Sequence, residues 1–290
     1  MPPALDLRPR GPRATFALML GCTKAKGLMK PIAKLSIASA LASVLVFSAG
    51  PAVQGANPDD AKDILKRMTD YVAAQKTISA RYDSDIEVVT TEGQKISFNS
   101  SGQLLMQRPD KLRVSRTGGY ADVDMVFDGK TLDILSKDQN KYTEMESPGS
   151  LGQLVERIRD KSDADLPAAD LFASGAYAEL TRDLINARHI GQGVINGVEC
   201  EHLAFRTPEV DWQVWVQTGA NPIPRKYVVT SKTVTGQPQY SVQINDWQTD
   251  VPVTASSFAF TPPAGATKVA AASLKEMAEV PAGVTLAARK

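Results

Sequence analysis

The last hundred residues of the chain contain a series of short runs rich in β-branched and aromatic residues, and Gly, Pro or Asn closes each run. This pattern is typical of consecutive antiparallel strands joined by turns. The clearest runs cover residues 211–216, 224–230, 240–247 and 258–266. Since none of them carries a catalytic motif, the region predicts a sheet and not a reaction centre.

The middle of the chain continues the same pattern. Apolar and polar residues alternate over 78–88, which predicts a strand with one buried and one wet face. Further strands are predicted over 96–106, 112–114, 121–127 and 132–134, with Asp128-Gly129 as a hairpin turn. Within the second strand, Ser100, Ser101 and Gly102 predict a bulge or a sharp bend.

Helices are predicted at three places. Asn57 is a candidate N-cap for a helix whose apolar residues form one stripe over 61–72. A two-helix insert follows the first set of strands: one helix from Leu151, and a second that Pro167 opens and that ends near Leu184. Strands resume near His189 and continue to about Phe260. Ser273 begins a capping box for a short helix near the C-terminus.

The N-terminal region has the order of a secretory signal peptide. Residues 29–34 are basic, 35–47 are apolar, and 48–56 are small and turn-rich. The apolar run is shorter than the roughly 20 residues that a spanning helix needs. We therefore expect an upstream extension at 1–28, with Met29 as the true start, and a signal peptide at 29–56 that is cleaved near Ala56. One folded domain would occupy 57–268 and an Ala-rich tail 269–290.

A second interpretation makes Cys22 a lipoprotein acylation site, because Leu18-Met-Leu-Gly precedes it. That interpretation leaves the apolar run at 35–47 unexplained. Under the signal-peptide interpretation, the mature chain is expected to be periplasmic, to have no transmembrane segment and to be a monomer. It keeps 26 basic and 31 acidic residues, a net charge of −5, which argues against nucleic acid and anionic membranes as partners.

Metal-ligand residue types cluster at Glu199-Cys200-Glu201-His202. On a strand, Cys200 and His202 would share one face, and two ligands fall short of the three or four that zinc takes. The sequence also has only two histidines and no Gly-x-Ser-x-Gly. We expect no metal, no cofactor and no enzymatic activity, although two carboxylates meeting in a cleft stay an open alternative.

Two central segments resemble the LolA lipoprotein carriers. In residues 102–113 a strand ends in Arg108-Pro109 and a short basic strand follows; residues 127–132 then read Phe-Asp-Gly-Lys-Thr-Leu. The C-terminal series from Pro224-Arg-Lys to Phe258-x-Phe-x-Pro-Pro-x-Gly is similar to that superfamily. Nearly the whole mature chain resembles an uncharacterised family of predicted bacterial periplasmic proteins with a LolA/LolB-like fold, through residues 196–205 and 236–240.

The resemblance implies an α+β fold, in which an open half-barrel of curved antiparallel sheet has helices covering its concave face. In LolA-like carriers this face holds acyl chains, and the arginine before the proline hydrogen-bonds the helical lid. Here that position is Arg108, for which an ordinary strand-end charge is the alternative. The chain departs from the carriers at Leu112, where they have an aromatic residue, and in its larger helical insert and tail.

On such a fold, apolar residues at alternate positions of the strands and on one face of the first helix would line an apolar cavity. These residues are Leu65, Met68, Tyr82, Ile86, Phe98, Leu104, Met106, Leu112 and Trp212. For Trp212, a place in the core is the alternative. The sequence therefore predicts a periplasmic binding protein for a lipid, a lipoprotein acyl chain or another apolar ligand. The other hypothesis is an envelope sensor domain that binds a periplasmic or outer-membrane protein in the groove or at a sheet edge.

Overall fold

The computed structural model describes residues 58–161 and 168–270, together with Val280 and Leu286. The helices in this part of the chain are α1 (Pro58–Ala74), α2 (Leu151–Lys161), α3 (Ala169–Phe172) and α4 (Ala176–Thr181). The first six strands are β1 (Thr77–Val89), β2 (Lys95–Gln107), β3 (Lys111–Gly118), β4 (Asp122–Phe127), β5 (Thr131–Ser136) and β6 (Lys141–Glu146). The others are β7 (Asn186–Ile195), β8 (Val198–Arg206), β9 (Val210–Gln217), β10 (Pro224–Ser231), β11 (Gln239–Thr249) and β12 (Thr267–Lys268).

All twelve strands belong to one curved, unclosed sheet in the order β12-β6-β5-β4-β3-β2-β1-β11-β10-β9-β8-β7. Neighbouring strands are antiparallel except β12 and β6, which are parallel. The sheet consists of two meanders, β1 to β6 and β7 to β11, which meet where β1 pairs with β11. The predicted α+β class and the curved antiparallel sheet are confirmed. No helix in the described ranges has the length and apolar character needed to cross a membrane.

The helices cover one face of the sheet, which we call the inner face. The apolar stripe of α1 packs with α3 and α4 against the half formed by β7 to β11 and β1, where Leu65, Met68 and Leu180 are buried beside Trp212. On the other half, Leu154 of α2 is buried against strands β4 and β5. The opposite face, which we call the outer face, carries the strand residues that alternate with those of the inner face.

Gly102 does not mark a bulge, contrary to the sequence-based expectation. The register of β1 with β2 runs unbroken from Thr77 opposite Gln107 to Val89 opposite Lys95. A Cβ at Gly102 would lie 2.3 Å from Cζ of Tyr82, its partner across the strands. The small residue is therefore needed because the Tyr82 ring crosses the sheet above it. The bulge lies instead in β1, between Ser79 and Arg81, where β1 pairs with β11.

Two predicted elements were wrong. The helix expected to continue to Leu184 is two short helices, because the chain turns at Gly175, which has a φ of 87°. The strand expected to reach Phe260 ends at Thr249, and Ala255–Phe258 forms a 3-10 turn instead. Asn57, Pro167, Ser273, Cys22 and the cleavage site lie outside the described residues.

Candidate ligand-binding site

Strand register brings the predicted lining residues to the inner face, but it divides them among separate clusters. Leu65, Met68 and Trp212 are fully buried in the cluster beneath α1, with Tyr82 and Ile86 at its border. The Trp212 ring stacks on Phe205 with centroids 4.0 Å apart. Trp212 is thus a core residue in this structure, and the space around it is filled by side chains.

Met106 and Leu112 belong to a different cluster, which lies at the end of the sheet where α1 ends and α2 begins. Met106 is buried with Val72 and Ile78, and Leu112 packs against them. Phe98 lies further along β2 and meets the exposed ring of Tyr120 edge-on, with centroids 5.3 Å apart. The predicted lining therefore extends over the sheet and does not enclose one compact hollow.

Leu104 lies between the two helix-covered halves of the inner face. It is half-buried, and so is Val114, its partner directly opposite on β3. Tyr82 of β1, diagonally across from Leu104, and Met125 of β4, opposite Val114, are half-buried as well. We call these four residues, Leu104, Val114, Tyr82 and Met125, the central strip; Ile86 lies further along β1, opposite Phe98. The central strip is an apolar surface that reaches solvent where α1 and α2 leave the sheet partly uncovered.

Val114 and Met125 are not among the predicted lining residues, although the sequence places both in the alternation that contains Leu112 and Phe127. The hydroxyl of Tyr82 closes one side of the strip by donating to the carbonyl oxygen of Ser115 at 3.1 Å.

Arg108 connects the end of β2 to two helices. Its Nε donates to the carbonyl oxygen of Gln75 at 3.2 Å, and one terminal nitrogen donates to those of Val72 and Phe172 at 3.3 and 2.8 Å. Desolvation by burial lowers the pKa of Arg108, yet a guanidinium stays protonated in proteins. Its positive charge therefore lies against carbonyls at the C-terminal ends of α1 and α3, where helix dipoles favour a cation.

The same turn also holds α2. The backbone N–H of Leu151, the first residue of α2, donates to the carbonyl oxygen of Pro109 at 2.9 Å. Two adjacent residues, Arg108 and Pro109, thus contact all the inner-face helices except α4. This geometry is what a latch on the helical cover requires, and the latch role itself stays a prediction.

Cys200 and His202 lie on the outer face, away from the central strip. The Nε2 atom of His202 is 2.9 Å from Oε1 of Gln213, and the ring stacks on Trp215 with centroids 4.0 Å apart. Burial lowers the pKa of His202 and raises that of the Cys200 thiol. Within the described ranges, no group of three or more His, Cys, Asp or Glu side chains is arranged to hold a metal ion.

Comparison with solved structures gives distant similarities. An uncharacterised conserved protein from Thermus thermophilus is 10% identical, with 72% of this chain and 98% of that chain covered and a TM-score of 0.40. The Mycobacterium tuberculosis lipoprotein LppX is 10% identical, with coverages of 69% and 100% and a TM-score of 0.36. For MucB in the Pseudomonas aeruginosa MucA/MucB complex the identity is 14%, the coverages are 70% and 61%, and the TM-score is 0.40. The chain thus spans less than two thirds of that protein.

No curated protein matches the sequence. A family model described as "Predicted periplasmic protein (DUF2092)" matches residues 61–272, which is most of the chain and nearly all of the described fold. The resemblance to an uncharacterised periplasmic family, first noted on residues 196–205 and 236–240, is thereby confirmed. The chain belongs to the DUF2092 family of predicted periplasmic proteins.

Proposed function

We propose that this protein binds a lipid, a lipoprotein acyl chain or another apolar ligand on the inner face of its sheet. The observation that supports this most directly is the central strip, where half-buried apolar side chains reach solvent between two helix-covered halves. Removing apolar surface from water contributes about 25 cal/mol per Å² before the costs of association. An extended hydrocarbon chain matches such a strip because it offers apolar area without polar groups that need partners.

The helices control how far a ligand can enter. Leu65, Met68 and Trp212 are packed against one another, so an acyl chain reaches them only when α1 moves away from the sheet. The contacts of Arg108 with the carbonyls of Val72 and Phe172 oppose that movement. In this proposal the central strip is the entry site, α1 with α3 and α4 is the lid, and Arg108 is the latch.

Export belongs to the same proposal. Residues 29–56 act as a signal peptide cleaved near Ala56, residues 57–268 form the LolA-like domain, and the mature protein works in the periplasm without a cofactor and without catalysing a reaction. Its partner is a lipid or an acylated protein that cannot cross the aqueous periplasm alone, since its hydrocarbon would be exposed to water.

The test uses an environment-sensitive apolar dye displaced by fatty acids of increasing length. Each buried CH₂ contributes about 0.8 kcal/mol, so two further carbons should strengthen binding by about 15-fold until the strip is filled. Leu104→Asn should weaken the binding of fatty acids, so that more fatty acid is needed to displace the dye. Leu105→Asn is the matched control, because Leu105 is the adjacent, equally half-buried leucine on the outer face. Absence of saturable binding by a folded protein would contradict the proposal.

The alternative function, a protein-binding envelope sensor, is favoured by a different observation. Strand β7 is at one edge of the sheet, and Ile190 and Val194 on it are 50% and 65% exposed. Edge strands with exposed apolar side chains can accept an extended peptide as an additional strand. If Val194→Lys abolishes capture of a periplasmic protein by cross-linking while dye binding is unchanged, the sensor function is supported instead.

A further inference from the structure

Asp133 is a buried carboxylate on the face opposite the central strip. It lies on β5 between Leu132 and Ile134, and it points to the outer face because both neighbours are buried on the inner one. Asp133 is only 9% exposed. Its carboxylate makes no hydrogen bond or ion pair with any residue in the described ranges. Buried charged groups are normally paired, so an unpaired carboxylate suggests a ligand.

A pocket of about 410 Å³ opens above this carboxylate. Its lining includes Asp128, Thr131, Asp133, Glu144, Phe258 and Phe260. Glu144 lies directly opposite Asp133 in the register of β5 with β6. The segment after β11 forms the other wall, and Arg113 holds it against the sheet by donating to the carbonyl oxygens of Ser257 and Ala259 at 3.5 and 3.4 Å.

The charges that face Asp133 leave the pocket acidic. Glu144 on β6 is paired with Lys268 of β12 at 3.2 Å. At the β4–β5 turn, one carboxylate oxygen of Asp128 accepts the backbone N–H groups of Lys130 and Thr131 at 2.8 and 2.7 Å. Asp133 is therefore the carboxylate for which the described residues supply no counter-charge at bonding distance.

Two aromatic rings limit the kind of cation that fits. Phe258 is buried in the wall, and Phe260 is half-buried with its ring 5.6 Å from that of Tyr142. Aromatic faces attract ammonium and guanidinium groups and also cover apolar stems. A bare metal ion requires several oxygen ligands around one point, and the described residues offer no such group.

We propose that this outer-face pocket binds an organic cation, with an ammonium or guanidinium group at the Asp133 carboxylate and its apolar stem between Phe258 and Phe260. The volume is within the range of small-molecule sites, which is roughly 300–1,000 Å³. The same chemistry is offered by a free alkylamine and by a basic side chain of a peptide. This site is independent of the inner face, because the sheet itself separates the two.

Binding should depend on pH. Burial, and then the charges of Glu144 and Asp128, raise the pKa of Asp133 to about 6. A bound cation favours the ionised carboxylate. Affinity should therefore be high at pH 8 and should fall as Asp133 becomes protonated below pH 6.

The experiment measures binding to the whole mature chain by titration calorimetry with hexylammonium and with N-acetyl-arginine amide; hexanol is the uncharged control. We expect at least one cation to bind and hexanol not to bind. Asp133→Asn should lower the affinity for the cation by about tenfold or more, which is the loss expected for one charge-assisted contact. Phe260→Leu should weaken it less, because apolar bulk is kept.

Glu92→Gln is the charge-matched control, since Glu92 is exposed in the β1–β2 turn away from the pocket. Circular dichroism confirms the fold of each variant. Failure of both cations to bind the wild type overturns the proposal, and so does equal binding to Asp133→Asn or a hexanol affinity that matches the cation's. Leu104→Asn should leave cation binding unchanged, which separates this site from the inner-face ligand.

Discussion

Removing the Arg108 guanidinium should loosen the helical cover while the sheet stays intact. Arg108→Leu keeps apolar bulk but deletes all three hydrogen bonds to the carbonyl oxygens of Val72, Gln75 and Phe172. A hydrogen bond to a charged group contributes roughly 1.5–3 kcal/mol, but two of these bonds are long and the site is half-exposed. We therefore expect a total loss of about 3 kcal/mol, carried mainly by the 2.8 Å bond to Phe172.

That loss acts on local opening of the helices. Because RT is about 0.59 kcal/mol, a loss of about 3 kcal/mol raises the open population by about 160-fold, so the amide hydrogens should exchange about 160-fold faster. The affected amides are those in the last turns of α1 and in α3 and α4, and the strands β8 to β10 should keep their protection. Hydrogen exchange followed by mass spectrometry measures both regions in one experiment.

The matched control is Arg113→Leu, the same exchange at an outer-face arginine that also donates to backbone carbonyls. Arg113→Leu should leave the rates of amide hydrogen exchange in α1 and α3 unchanged. Leu180→Ala, which removes a buried contact of α4 with α1, serves as the positive control and should speed exchange there. If Arg108→Leu leaves exchange of α1 and α3 at the wild-type rate while Leu180→Ala increases it, the latch reasoning is refuted and Arg108 is an ordinary strand-end charge.

Three further predictions follow from the fold, the outer-face pocket and the N-terminal region. Gly102→Ala should lower the free energy of unfolding by about 1–3 kcal/mol in urea titrations, whereas Gly119→Ala, with no atom near its Cβ position, should change it little. Because the pKa of Asp133 is about 6 in the fold against an ordinary 3.8, the folded protein holds a proton that the unfolded chain releases, and the free energy of unfolding should fall as the pH rises from 4 to above 6. Asp133→Asn should abolish that fall. N-terminal sequencing should give a mature start near Asn57, and an acylated N-terminus at Cys22 would contradict it.

Alternation over short distances made much of the sheet predictable from the sequence. Alternation over residues 211–216 predicts Trp212 and Trp215 on opposite faces of the strand, and the structure has Trp212 buried and Trp215 half-exposed. The apolar stripe of α1 likewise predicted which face of that helix packs on the sheet. These signals are local, so one sequence is enough to read them.

The errors arose where a residue's environment is made by a distant segment. The sequence predicts a bulge or a sharp bend at Gly102, but there is no bulge, and the small size of this residue is set by Tyr82, which is 20 positions earlier and reaches it only through strand pairing. Asp133 gave no distinct signal among the other acidic residues. It shares its pocket with Phe258, which comes from the segment after β11. The sequence predicts Phe258 as part of a strand, because an aromatic run has the same composition in a strand and in a covering segment.

The pairing of β1 with β11 has a consequence for how the protein is made. Asp83 and Asn245, bonded across it at 2.9 Å, are 162 positions apart. Each meander can form from local hairpins, but pairing between such distant strands is slow and comes late. Until β11 is available, one long side of β1 presents unpaired backbone groups, the kind of edge that attracts other chains. Any truncation before residue 239 would leave that edge open permanently, and aggregation rather than a smaller folded domain is the expected product.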